Sequence, residues 1–289
     1  MTDALLRPRR SVLYMPGANE RALEKAKGID ADALILDLED AVAPDAKADA
    51  RERVCAAVRS GEYGHRELMI RVNGLGTQWH DDDIAAAAAA GPDGIVVPKV
   101  GSAAQVRQLV ESLESAGAPD RTMLWAMIET PAAILHAEEI AAAHERLAVL
   151  VMGTNDLVNE THALHVPGRA PLLTSLSLAL LAARAAGKVV LDGVFNDVKD
   201  PDGFAAEARQ GRELGFDGKT LIHPGQVEPA NVAFAPSEAD VEHARELIAA
   251  FEEAQSQGLG VVTVNGRMVE NLHVRDAERI LALHTAITR

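Results

Sequence analysis

A single cysteine, Cys55, is all the chain offers for thiol chemistry, so no internal disulfide can form and a reducing, cytoplasmic setting is expected. Positive charge is in deficit: 28 Lys and Arg face 43 Asp and Glu, a net charge of −15. That balance excludes long-range attraction for nucleic acid or an anionic membrane surface. An anionic substrate must then be held by local charge, from a metal ion or a few placed Arg and Lys side chains. No apolar stretch reaches the length of a membrane span without a charge interrupting it. The first ten residues hold three arginines and lead straight into a strand-like run, unlike a secretory signal. Linkers, repeats and low-complexity segments are lacking too, apart from alanine-rich helical stretches such as 85–90.

What is present is a chain of 289 residues with 48% hydrophobic and 25% charged residues, enough apolar material for one large core. Short β-branched runs at 11–15, 33–39, 68–73, 94–99, 123–129, 147–153, 189–194 and 219–223 read as eight strands. Helical composition fills the intervals, at 18–27, 46–58, 84–90, 103–116, 132–143, 172–186 and 204–214. This alternation predicts an α/β fold, a TIM (β/α)8 barrel over 1–232, although an open doubly wound sheet uses the same local grammar. A helix at 237–255, a glycine-punctuated segment and a last helix form a C-terminal helical extension over 233–289. Its length is enough to reach a neighbouring subunit.

Barrel active sites lie at the C-terminal ends of the strands. The residues closing each run are Asp37, Glu39 and Asp40, then Arg71 and Asn73, Lys99, Glu129, Asp156, Asp192 and His223. Any one of these could be a solvated or capping group, and Asp156 in particular fits an ordinary turn. Together they place several carboxylates at one mouth, where they repel unless protonated or neutralised by a cation. Without a cysteine cluster or a zinc-spaced histidine pair, the fitting ion is Mg²⁺ on oxygen ligands, with Glu129 and Asp156 as the pair from adjacent strands. Arg71 adds a fixed cationic fork for a carboxylate or a developing oxyanion, and pairing with Glu39 or Asp40 would orient it.

The segments Arg10-Ser11-Val12-Leu13-Tyr14-Met15-Pro16-Gly17, Leu36-Asp37-Leu38-Glu39-Asp40-Ala41-Val42, Arg71-Val72-Asn73, Pro98-Lys99, Ile128-Glu129-Thr130, Gly153-Thr154-Asn155-Asp156-Leu157 and Ile222-His223-Pro224-Gly225-Gln226 carry a resemblance. In this order they resemble the citrate lyase β-subunit (CitE-like) family of the HpcH/HpaI aldolase superfamily, close to malyl-CoA and citramalyl-CoA lyases and related thioesterases. The resemblance runs from about Arg9 to the C-terminal helix. It implies a barrel assembled as a homotrimer or hexamer, Mg²⁺ on Glu129 and Asp156, and substrate oxyanion binding by Arg71. It also implies that an acyl-CoA or acyl-carrier arm crosses the mouth near Arg21, Lys25 and His223, although Arg21 and Lys25 also fit a plain solvated helix face. The family's lyases carry Met-Ile-Asp near the end, with the aspartate acting as an acid in the neighbouring subunit's site. Here the stretch is Met268-Val269-Glu270, a departure that lengthens the arm by one methylene.

The activity this implies is Mg²⁺-dependent carbon–carbon cleavage, or condensation, of a 3-hydroxyacyl-CoA such as malyl-CoA or citramalyl-CoA to acetyl-CoA and a small 2-keto acid. Loss of the hydroxyl proton collapses the alkoxide to a ketone and expels the enolate. Asp37, Glu39 and Glu270 are the candidates for proton transfer, and no Gly-x-Ser-x-Gly nucleophile motif competes with a non-covalent route. Three alternatives stand beside it: a malyl-CoA-type thioesterase, a citryl-carrier lyase subunit, and a scaffold without turnover.

Overall fold

Val, Ile and Leu runs bounded by charged or turn residues build eight parallel strands in the computed structural model, which describes residues 7–257, 261–264 and 266–288. The strands are β1 (Ser11–Pro16), β2 (Ala33–Asp37), β3 (Glu67–Arg71), β4 (Gly94–Val97), β5 (Met123–Ile128), β6 (Leu147–Met152), β7 (Val189–Asp192) and β8 (Gly218–Leu221). Each pairs in parallel with the next, and β1 pairs with β8 through Ser11 with Lys219 and Leu13 with Leu221. The sheet is therefore a closed TIM barrel, and the open-sheet alternative is gone.

Outer helices follow the strands: α1 (Glu20–Ala26), α2 (Lys47–Ser60), α3 (His80–Ala90), α4 (Ala103–Ser115), α5 (Pro131–Leu135), α6 (Ala137–Ala141), α7 (Thr154–Glu160), α8 (Leu173–Ala185), α9 (Pro201–Leu214) and α10 (Val227–Phe234). Local chemistry sets their ends. The Ser102 hydroxyl accepts the Gln105 N–H at the start of α4, and Asp200 accepts that of Gly203 at the start of α9.

The structure departs from the sequence reading in some of its helices and at the ends of its strands. The helix expected over 132–143 is two short ones, α5 and α6, broken at His136, whose backbone (φ −108°, ψ 15°) leaves the helical region. Helices α7 and α10 form where the sequence pattern predicts none; Pro229 in α10 falls in the first turn, where the missing N–H costs no intrahelical bond. The second, third, fourth, seventh and eighth strands each stop two residues before the expected end, at Asp37, Arg71, Val97, Asp192 and Leu221.

Strand pleating sorts the residues into two layers. Leu34, Leu36, Ile70, Ile128 and Val190 belong to the large apolar cluster shared with the helices. Their alternates Ile35, Met69 and Trp125 are also fully buried and face the barrel interior. At the N-terminal end Arg9 and Glu67 form a buried ion pair at 2.6 Å, with the guanidinium over the Trp125 ring. The same alternation sends Asp37, Arg71 and Glu129 inward at the other end, because each follows a helix-facing residue.

The barrel unit spans Arg9–Phe234. A second unit is built from Ala235 onward, with α11 (Glu238–Ser256), the antiparallel pair β9 (Val262–Val264) and β10 (Arg267–Val269), and α12 (Asn271–Ile287). Ser237 and Asp240 form a reciprocal capping box at the start of α11. Ala244, Leu247, Phe251, Val269 and Ala277 make this unit's own small core. Gly258 and Gly260, which punctuate the tail in the sequence, lie outside the described residues. Among the described residues no helix is long and apolar enough to cross a membrane.

Candidate active site

Arg71 is the organising residue of the barrel mouth. Its Nε and Nη2 donate to the two oxygens of Asp37 at 2.7 and 2.6 Å, a bidentate pair buried at the ends of β3 and β2. The Tyr14 ring of β1 lies 4.8 Å from the guanidinium, and burial pushes its phenol well above the ordinary range. Asp37 also accepts the backbone N–H groups of Glu39 (2.9 Å) and Ala41 (3.1 Å). With four donors on one carboxylate, Asp37 is committed to holding Arg71 and the β2 loop, which separates it from the other acids at the mouth.

Glu39 Oε2 lies 2.8 Å from Arg71 Nη1, a charge contact, yet it is buried without hydrogen-bond geometry to any donor. Desolvation raises its carboxyl to about 7; Arg71 pulls it down, and Asp40 and Asp37 push it up. Lys47, itself buried, donates to the carbonyls of Leu38 and Glu39 at 2.9 and 3.0 Å, and Asn73 Nδ2 donates to Leu38 O at 3.0 Å, so the loop is pinned from behind. Asp40 is exposed and reaches Arg71 at 3.5 Å.

Glu129, just past β5, is buried, and Lys99 donates its backbone N–H to Oε1 at 2.8 Å. Burial and then the negative charge of Asp156 push the Glu129 carboxyl up to about 8, and the Lys99 N–H pulls it back. A side chain at position 153 would place its Cβ 2.1 Å from Glu129 Oε2, so this approach requires Gly153. Asp156 sits in the first turn of α7, half-exposed, with Lys99 Nζ 3.1 Å from its Oδ1. Pairing with Asp156 is the main cause that raises the Lys99 ammonium above its ordinary value.

The structure thus brings together Asp37, Glu39, Arg71, Glu129 and Asp156 of the residues that the sequence singles out. The others fall elsewhere. Asp192 shares the helix-facing side of β7 with Val190 and is bound by Arg169 Nη1 at 2.7 Å and Lys219 at 3.2 Å, in a buried ion cluster with Glu207. A cavity of about 490 Å³ beside that cluster is lined by Thr154, Val194, Phe195 and Arg169, and by none of Arg71, Glu129 and Asp156. Arg21 and Lys25 are exposed one turn apart on α1, and His223 is exposed after β8, its Nδ1 accepting the Gly225 N–H at 3.0 Å. Glu270 belongs to the second unit, exposed before α12, where its N–H donates to His273 Nδ1 at 3.0 Å. Tyr14, Lys47, Asn73, Lys99 and Gly153 complete the site. Of these Asn73 and Lys99 are visible in the sequence as strand-end polar residues, Tyr14 and Gly153 only as members of the family-like segments, and Lys47 not at all.

The donor set fits a hard divalent cation. Glu129 and Asp156 destabilise each other as anions, and a cation between them removes that penalty. Among the described residues no three His, Cys, Asp or Glu side chains form a closed metal cage. Two carboxylates with water and substrate oxygens completing the shell is the pattern Mg²⁺ favours.

The family model described as HpcH/HpaI aldolase/citrate lyase matches residues 10–224. A "(3S)-malyl-CoA thioesterase" of Cereibacter sphaeroides is 52% identical over 97% of this chain and 96% of its own length. "Citrate lyase subunit beta" of Leuconostoc mesenteroides is 38% identical over 97% and 94%. Among solved structures, a CitE protein of Mycobacterium tuberculosis in complex with magnesium, acetoacetate and coenzyme A superimposes with a TM-score of 0.76 at 30% identity, covering 95% of this chain and 97% of that one. Barrel, mouth chemistry and these similarities agree, and the chain belongs to the HpcH/HpaI aldolase/citrate lyase family.

Proposed function

We propose that this chain hydrolyses the thioester of a malyl-CoA-type 3-hydroxyacyl-CoA, with Mg²⁺ held by Glu129 and Asp156. The observation that carries the reading is a mouth that holds Arg71 against Glu39, with Glu129 within reach of both charges and the ionised forms of both carboxyls disfavoured. One of these acids suits a cation, and the other stays poised near neutrality to take a proton. The 52% identity to a (3S)-malyl-CoA thioesterase favours hydrolysis among the reactions such a mouth serves.

Bound Mg²⁺ supplies Lewis-acid polarisation of substrate oxygens. Arg71, fixed by Asp37 on its Nε and Nη2, presents Nη1, which faces Glu39 and Asp40 at the open side of the mouth, to the substrate's free carboxylate or the oxygen that gains charge. Glu39 takes a proton from the attacking water as the water oxygen bonds to the thioester carbon. The C–S bond then breaks, and that proton leaves with the CoA sulfur, giving free CoA and the hydroxy diacid. Arg21, Lys25 and His223 are proposed to receive the CoA arm. Assembly as a homotrimer or hexamer, with Glu270 reaching a neighbouring subunit's site, is part of the same reading.

The second reading is carbon–carbon cleavage, favoured by the 38% identity to a citrate lyase subunit beta and by a mouth that could equally stabilise an enolate. Incubating the full chain with (3S)-malyl-CoA and Mg²⁺ separates the two. Free thiol without glyoxylate carries hydrolysis. Glyoxylate formed with acetyl-CoA overturns it in favour of the lyase, and silence on both products points to a carrier-bound substrate.

A further inference from the structure

Lys99 touches both residues assigned to the cation through different parts of itself. Its backbone N–H is bound to Glu129 Oε1 at 2.8 Å, and its ammonium stands 3.1 Å from Asp156 Oδ1. The backbone at this position has φ 55°, the left-handed region that a lysine seldom adopts. Three non-glycine residues among those described have such a φ, and Lys99 is the one whose N–H ends on a mouth carboxylate. The side chain is 54% exposed, and the carboxylate it pairs with is that of Asp156.

We propose that the Lys99 ammonium is a stand-in cation: it holds Asp156 at the mouth while Mg²⁺ is absent and is displaced from it when Mg²⁺ binds. This rests on Glu129 and Asp156 being the Mg²⁺ ligands. The physical content is a competition. A divalent ion on Asp156 must break the Lys99 pair and then sit beside a unit positive charge. Both effects lower Mg²⁺ affinity, in exchange for a mouth whose two acids do not repel each other apart when empty. The backbone N–H of Lys99 is untouched by the exchange and keeps Glu129 in place throughout.

The test is calorimetric titration of Mg²⁺ into the full chain without substrate, for the parent, Lys99→Met, Lys99→Arg and Asp156→Ala, with thermal unfolding in EDTA alongside. Loss of the exposed pair and of the like charge beside the metal each act in the same direction, so Lys99→Met is expected to tighten Mg²⁺ by about three- to thirtyfold. Lys99→Arg, which keeps the charge, is expected to bind like the parent, and in EDTA Lys99→Met is expected to unfold slightly earlier. Unchanged or weaker Mg²⁺ binding by Lys99→Met, with Asp156→Ala abolishing it, overturns the competition and leaves the metal centre standing. Parent-like binding by Asp156→Ala overturns the metal centre and this inference together.

Discussion

Replacing Glu129 by glutamine isolates the charge that makes this mouth work. In the folded protein the Glu129 carboxyl holds its proton up to about 8, against 4.5 for an ordinary glutamate. The folded state therefore binds more protons than the unfolded chain between those values, and its stability falls as pH rises across that window. At about 1.36 kcal/mol per pH unit the whole window amounts to roughly 5 kcal/mol, of which half or more should survive solvent and structural relaxation. A glutamine in its place stays neutral at every pH, and the amide oxygen can still accept the Lys99 N–H. In EDTA, Glu129→Gln should match the parent near pH 5 and exceed it by about 2 to 4 kcal/mol at pH 9. Mg²⁺ should reverse the order, stabilising the parent at pH 9 and leaving the variant unmoved. Urea denaturation at pH 5, 7 and 9, with EDTA or Mg²⁺, reads both effects. A stability gap that does not widen with pH would refute the reasoning, because Glu129 would then carry no strained charge.

Three further outcomes follow from the same geometry. Glu39→Gln should lower kcat by about 10²-fold and erase the rise in rate with pH through about 7, since the base must be ionised and lies near that value in the parent; pH–rate profiles check it. Gly153→Ala should leave the barrel folded by circular dichroism yet weaken Mg²⁺ binding by about tenfold or more in calorimetry, because the new methyl falls 2.1 Å from Glu129 Oε2. Arg71→Lys keeps one charge but cannot pair with both Asp37 oxygens, so kcat/KM should drop by about 10²- to 10³-fold with a smaller change in Mg²⁺ affinity.

The barrel is legible in the sequence because each strand carries a compact apolar run and each helix lies between two such runs. Closure is not, since it depends on β1 meeting β8, with Ser11 beside Lys219, and no local pattern encodes a pairing across that separation. The mouth is legible in its charges but not in their directions. Asp37, Arg71 and Glu129 each come one residue after a helix-facing Leu36, Ile70 or Ile128 and so face inward, whereas Asp192 comes two after the helix-facing Val190 and turns outward to Arg169. Strand parity, counted from the apolar residues, separates them. Lys99 is visible in the sequence as a strand-end charge, but the half of its contribution that lies in the backbone is not, and Gly153 carries no signal of its own because its contribution is a missing side chain. The unexpected α10 reflects how a proline reads as a break in sequence but is harmless within a first helical turn.

On the proposed reading, Glu129 and Asp156 hold one Mg²⁺ that the reaction requires. Its most direct test is the initial rate of CoA release from (3S)-malyl-CoA as a function of free Mg²⁺, for the parent, Glu129→Gln and Asp156→Ala at pH 8. The parent should show a saturable Mg²⁺ dependence and no rate in EDTA, and both variants should lose about 10²-fold or more. A parent rate that is indifferent to EDTA, or variants that keep the parent's Mg²⁺ curve, would contradict that reading.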